Sequence, residues 1–442
     1  MCAANRQEST PAPGNRPSGG CVTGVGCDTW KGSAHFNRIA PLARIVDCMS
    51  KPLDTTSPVA SPKPIYAQLE QSVAAGQPQQ AIEQLIAYLT EHGQYHELFE
   101  ALKMRVRLQL HLPAAQADRQ EKFDETTELA LERGLLDACR TVGELFCQQG
   151  RIREGWMYLR PVGDRELAAA AVAGIEPNDE NIDELLEVLL HEGVDIARGY
   201  QLALDRLGTC NSITLFESTL AARPRADQQT AARLLVEHVH GELLENLRRD
   251  ITRREGTPPA ESSIEELLSA RPELLRDGSY HLDTSHIAST VRFARVLDDP
   301  HALRLALDLA CYGRGLHPQY QYPGEEPFLD LYPASAAFFR ALLGEQVEAG
   351  IRYFTHKADT VDTEQFGTVA SEVLIDLLSR CGRHAEALQV YARRLPPGTR
   401  TLGIAPTLLQ LSQRLGQYEP MLRICQQRDD LLGFAAAALQ GG

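Results

Sequence analysis

The sequence predicts an all-α chain, an α-solenoid of stacked antiparallel helix hairpins broken by an irregular insert at about 277–332. Three observations carry that reading. Apolar residues recur at helical spacing, as in Val373, Leu374, Leu377 and Leu378 before Gly382, and Ala387, Leu388, Tyr391 and Leu395 after it. Gly382 and Gly416 each close one amphipathic segment and open the next, and they stand 34 residues apart (416 − 382). A helix that ends in a left-handed residue avoids the Cβ penalty with glycine. Finally, no strand-length segment alternates apolar and polar residues. A lone hairpin of this length cannot cover its apolar stripe on both sides, so neighbours must stack against it.

Taken in order, residues 1–62 are rich in Gly, Pro, Ser and Thr without a hydrophobic period, which predicts a disordered tail. Cys2, Cys21, Cys27 and Cys48 lie there, and Met49 opens an ordinary polar N-terminus that reads as the natural start. A helical-repeat part follows over 63–276. Gly76 and Gly93 divide Ile65–Leu112 into three helices, with Pro78 suited to a first helical turn. Gln116–Gly134 and Leu135–Gly150 read as the next pair, and Arg151–Val162 as the partner of the second. Leu167–Val172 comes next. Asn181–Glu192 is an acidic helix, broken off and capped by Pro177, Asn178 and Asp179. Asp195–Leu207 and Ile213–Ala222 lead to one long helix, about Ala226–Arg254, ended by Gly256, Pro258 and Pro259. The insert, with its loop-rich candidate site, spans 277–360, and 361–442 returns to the repeat.

The hairpin at Gly382, with small Ala387 and aromatic Tyr391, resembles the tetratricopeptide repeat family, whose period is about 34 residues. The same signature appears at Gly143, Phe146, Gly150, Gly155 and Leu159, and a looser copy at Gly76, Ala81 and Leu85. The pattern is degenerate: Arg394 stands where the family has alanine, and Met421 and Cys425 where it has a small residue and an aromatic. The resemblance implies an interaction module whose array takes a protein or peptide partner.

Composition bounds the partners. The 442 residues carry 59 acidic and 44 basic side chains, a net charge of −15, with 43% hydrophobic residues. Such a surface repels phosphate backbones and anionic headgroups, which excludes nucleic acid and membrane as default partners. No stretch approaches the roughly 20 apolar residues of a membrane helix. Of the ten cysteines, six sit singly on expected helices without paired metal spacing, which points to a reducing, cytoplasmic setting.

The insert is where chemistry is expected, because long loops inside helical proteins carry function. Glu237 and His240 lie three apart on the long helix, Asp283 and His286 three apart at a helix start, and His281 just before. Helical proteins holding two iron or manganese ions use that spacing on each of two helices, and this donor set suits Fe, Mn or Zn. Against the metal reading stand simpler roles: Asp283, Thr284 or Ser285 as a helix N-cap, and Glu237 with His240 as a solvated pair. Tyr320, Tyr322, Glu325 and Asp330 would line a pocket in the loop HPQYQYPGEEPFLDLYP. Two functions follow: a helical-repeat interaction scaffold, or a metal-dependent oxidase or hydrolase built at the insert. A third feature, the apolar run Leu431–Leu439, would let two copies dimerise.

Overall fold

The computed structural model describes residues 64–115, 122–397 and 401–441. The expectations placed on residues 1–62, among them the disordered tail and the start at Met49, lie outside the described residues. Every regular element described is helical, and no strand occurs among the described residues. The all-α expectation holds.

Three helices open the described chain: α1 (Pro64–Ala74), α2 (Pro78–Glu91) and α3 (Tyr95–Gln109). Gly76 and Gly93 turn between them at φ +70° and +66°. Pro78 takes the first turn of α2, where its missing N–H has no partner to lose. One correction follows. Gln116–Gly134 and Leu135–Gly150 are not a pair: a single helix, α4, runs Glu125–Gln148 straight through Gly134, capped by the Asp124 carboxylate on Thr127 N. Gly134 is there for close approach. A Cβ on it would meet Val106 Cγ1 of α3 at 2.5 Å. The same logic joins α4 to α5 (Ile152–Leu159), where a Cβ on Gly155 would stand 2.4 Å from Cys147 Sγ.

Beyond α6 (Arg165–Ala173) and α7 (Ile182–Leu186), α8 (Ile196–Leu215) bends at Gly208, the one non-helical residue inside it at φ +77°. The long helix α9 (Arg225–Glu255) ends on left-handed Gly256. It is the hub of the fold, with α8, α11 and α12 packed along it, and its inward stripe of Leu235, Val239, Leu243 and Leu247 is fully buried. Short α10 (Ile264–Ala270) begins with a reciprocal capping box between Ser263 and Glu266. The Ser-x-x-Glu signal for it is plain in the sequence.

The insert contributes α11 (Thr284–Phe293), α12 (Pro300–Gly315) and the loop 316–330. A hairpin follows, α13 (Leu331–Leu342) and α14 (Val347–Thr360), and then a four-residue turn, α15 (Thr363–Phe366). The chain finishes with α16 (Val369–Arg380), α17 (His384–Arg394), α18 (Leu408–Leu415), α19 (Glu419–Gln427) and α20 (Leu431–Gly441). Gly382 (φ +76°) and Gly416 (φ +70°) sit in the α16–α17 and α18–α19 turns, as their spacing requires. Consecutive helices pack on one another through this stretch, α16 on α17, α17 on α18 and α19 on α20, and α16 also lies against α13 and α14.

Candidate functional site

Four of the five expected metal ligands are engaged by side-chain hydrogen bonds to groups outside the set. Glu237 binds Arg233 one turn earlier on α9, at 2.9 Å. His240 Nε2 lies 3.1 Å from Asp308 Oδ2 of α12. Asp283 caps α11 by accepting from Ser285 N, the simpler role its position suggested. His281 makes a buried relay: its backbone N–H donates to Tyr312 Oη at 2.9 Å, Nδ1 lies 3.1 Å from the same oxygen, and Nε2 lies 3.3 Å from Asp250 Oδ2. His286 is half-buried on α11, and its backbone carbonyl accepts from Thr290 Oγ1. Among the described residues no group of three or more His, Cys, Asp or Glu is placed to hold a metal ion. The shared Fe, Mn or Zn centre expected from the acid-x-x-histidine spacing is therefore corrected: the two pairs sit on helices that meet through other residues.

The expected pocket residues also divide. Tyr320 packs on Tyr280, centroids 5.0 Å apart. Asp330 is locked between Tyr353 Oη and Lys357 Nζ of α14, the latter at 3.0 Å. Burial raises its pKa, but those two donors outweigh it and hold the carboxyl below its ordinary value. Tyr322 and Asp330 border a shallow hollow with Leu329 and Pro333. Of the four, Glu325 alone lines a separate cleft.

That cleft, about 440 Å³, opens where the insert meets the C-terminal hairpins. Distant segments build it: the start of α9 (Arg225), the end of α11 and the turn after it (Arg292, Arg295), the loop (Glu325, Glu326, Phe328), α13 (Phe338), α16 (Val373, Asp376) and residues 402–404. Its apolar walls are Phe328, Leu331, Phe338, Val373 and Ile404. A volume of this size with apolar walls and a few convergent polar groups is the usual form of a binding site.

Ion pairs brace the rim. Arg225 Nη1 reaches Asp376 Oδ1 at 3.2 Å, and Arg380 Nη1 reaches Asp376 Oδ2 at 3.3 Å. Arg380 also donates to the Arg295 carbonyl at 2.7 Å, tying α16 to the turn after α11. Arg292 holds Glu325 at 3.2 Å and also Glu217. The 402–404 wall hangs from Glu372, whose side chain is fully buried. Its Oε1 accepts from Leu402 N at 2.9 Å and Thr368 Oγ1 at 2.6 Å, and its Oε2 from Ile404 N at 3.1 Å.

Arg295 differs from the other arginines of the cleft. Its guanidinium lies over the Phe328 ring, 5.3 Å from the centroid, and its buried Nε has no acceptor. Burial lowers its pKa from the ordinary arginine value, with Tyr353, Glu325 and Asp330 acting in the opposite sense from farther off. Sequence reading had no means of finding it. One of the two arginines in VRFARVLDD carries no periodic signal, and its lack of a partner is a tertiary property. Compared with family models, with curated proteins and with solved structures, the chain matches none.

Proposed function

We propose that this chain is an interaction scaffold, a helical protein that receives an extended segment of a protein partner in the cleft between the insert and the C-terminal hairpins. The observation that carries this reading is the cleft itself. It has apolar walls drawn from segments far apart in the sequence, and its rim is braced by arginine–carboxylate pairs. Its one cation without a near partner suits recognition, since binding sites fix their occupant by a few convergent polar groups in an apolar cavity. The resemblance of the Gly382 hairpin to tetratricopeptide repeats supports it as analogy of architecture.

Self-association through α20 belongs to the same proposal. That helix buries Ala437 but leaves Leu431 77%, Leu432 85% and Leu439 85% exposed, and an exposed apolar face of that kind marks an interaction surface.

A photoreactive side chain placed at Leu402, exposed at the mouth of the cleft, should give one discrete covalent adduct on irradiation in cells. The same group at Met157 on α5, outside the cleft, should not. No adduct from Leu402, or the same diffuse smear from both positions, would overturn the reading.

A further inference from the structure

A guanidinium brought into an apolar cavity without a carboxylate or a carbonyl to meet it leaves strong donors unsatisfied. Arg295 is in that position: no hydrogen bond or ion pair from its side chain to any described residue is present, and its buried Nε is unmet. The other cationic side chains of the cleft are already neutralised, Arg225 by Asp376 and Arg292 by Glu325 and Glu217. The cleft therefore offers one free positive charge in a planar fork, with Phe328, Leu331, Phe338 and Ile404 around it.

We propose that Arg295 anchors the occupant of the cleft, and that the occupant is a peptide segment presenting a carboxylate beside a bulky apolar side chain. This rests on the reading of the cleft as the receptor surface and adds what the surface selects. A carboxylate matches the guanidinium fork with two parallel N–H···O bonds and brings one negative charge to meet one positive charge. A dianionic phosphate brings a second charge beside Glu325, Glu326 and Asp376, with no second free cation to hold it. The apolar walls take the neighbouring side chain. Exposed Leu402, Glu325 and Glu326 border the mouth, so a chain can lead out to solvent on either side, as an extended segment must.

The test uses the full chain and two immobilised libraries of N-acetylated, C-amidated hexapeptides, one with glutamate fixed at the fourth position and one with glutamine. The glutamate library should be retained about tenfold better, the worth of one charge-assisted pair, with bulky apolar residues enriched beside the glutamate. Arg295→Met should abolish the preference, and Arg295→Lys, which keeps the charge but loses the fork, should keep only part of it. Arg295→Met removes a guanidinium whose buried Nε is unmet and keeps an unbranched side chain in its place, so its ligand-free unfolding midpoint should equal or exceed that of the wild type, which confirms that it is folded. Equal retention of the two libraries would sink the proposal. So would a preference that survives Arg295→Met, or decanoate or inorganic phosphate binding at Arg295 where the peptides do not. An adduct at Leu402 with no glutamate preference removes the anchor and leaves the receptor reading standing. Loss of both removes the receptor reading itself.

Discussion

His281 is held neutral by its surroundings, and this makes it the residue through which acid should act on the fold. The hydrogen-bond network assigns its tautomer: Tyr312 Oη accepts from the His281 backbone N–H and donates to Nδ1, while Nε2–H donates to Asp250. Burial pulls the imidazole pKa below its ordinary 6.5, against the pull of Asp250 and with help from Arg254 and Arg253. Protonating Nδ1 would force the buried Tyr312 oxygen to accept twice and leave its own O–H without an acceptor. The unfolded chain binds that proton at a higher pH than the folded chain does. The contribution is thus complete above 6.5 and is lost as pH falls through 6.5 toward the lowered folded value. The urea midpoint should drop between pH 8 and pH 5, and His281→Gln should flatten that part of the profile. An unchanged slope in the variant would sink the assignment. The sequence brought His281 to notice, but both its partners lie 31 residues away, beyond any local spacing rule. The same limit produced the expectation of a metal: Glu237 and His240 share a helix, yet Arg233 and Asp308 are what they meet.

Glycines within helices separate what pattern can read from what packing decides. Gly134 in α4 and Gly241 in α9 both lie inside helices, yet the sequence reading ended a helix at Gly134 and ran one straight through Gly241. A Cβ on Gly134 would press into Val106 at 2.5 Å, whereas one on Gly241 would meet nothing within 4 Å. The β-branched Val106 side chain has little freedom to swing away. Gly134→Ala should therefore destabilise by about 1–3 kcal/mol, and Gly241→Ala should stabilise by about 0.5–1 kcal/mol. Chemical denaturation of the two variants checks both signs, and two changes of the same sign would refute the packing account. A second prediction concerns the 402–404 wall, which has no helix of its own and hangs on one carboxylate. Glu372→Gln replaces an oxygen that accepts from Ile404 or Leu402 N–H with a donor, at a cost of about 1–3 kcal/mol. Amide exchange at Leu402 and Ile404 should quicken selectively. If those amides exchange as before, Glu372 does not hold the wall.

The division of the chain into helices was readable because each amphipathic stripe is a local fact, and turn glycines such as Gly382 and Gly416 mark where one helix yields to the next. The cleft was not readable, since Arg225, Arg295, Phe328, Val373 and Ile404 become neighbours only when α9, α11, α13 and α16 pack, and no spacing announces a cation left without a partner. Two predictions belong to the whole molecule. If two copies meet through α20, light scattering should give a mass above the 48.8 kDa of one chain, and Leu432→Glu with Leu439→Glu should return it to that value. A wild-type chain of single mass would end the self-association proposal. The second sets the total charge against the unpaired guanidinium of the cleft. A molecule of net charge −15 repels an acidic segment at long range, while the buried contact that finally holds the segment is screened much less. The Debye length shortens from about 30 Å at 0.01 M salt to about 8 Å at 0.15 M. Added salt should therefore raise the association rate of a glutamate-bearing peptide and leave its dissociation rate nearly unchanged, the reverse of electrostatic steering. Stopped-flow association across that range gives the answer. A rate that falls with salt would mean that the peptide is drawn to a basic surface elsewhere and that the Arg295 cleft is not where it binds.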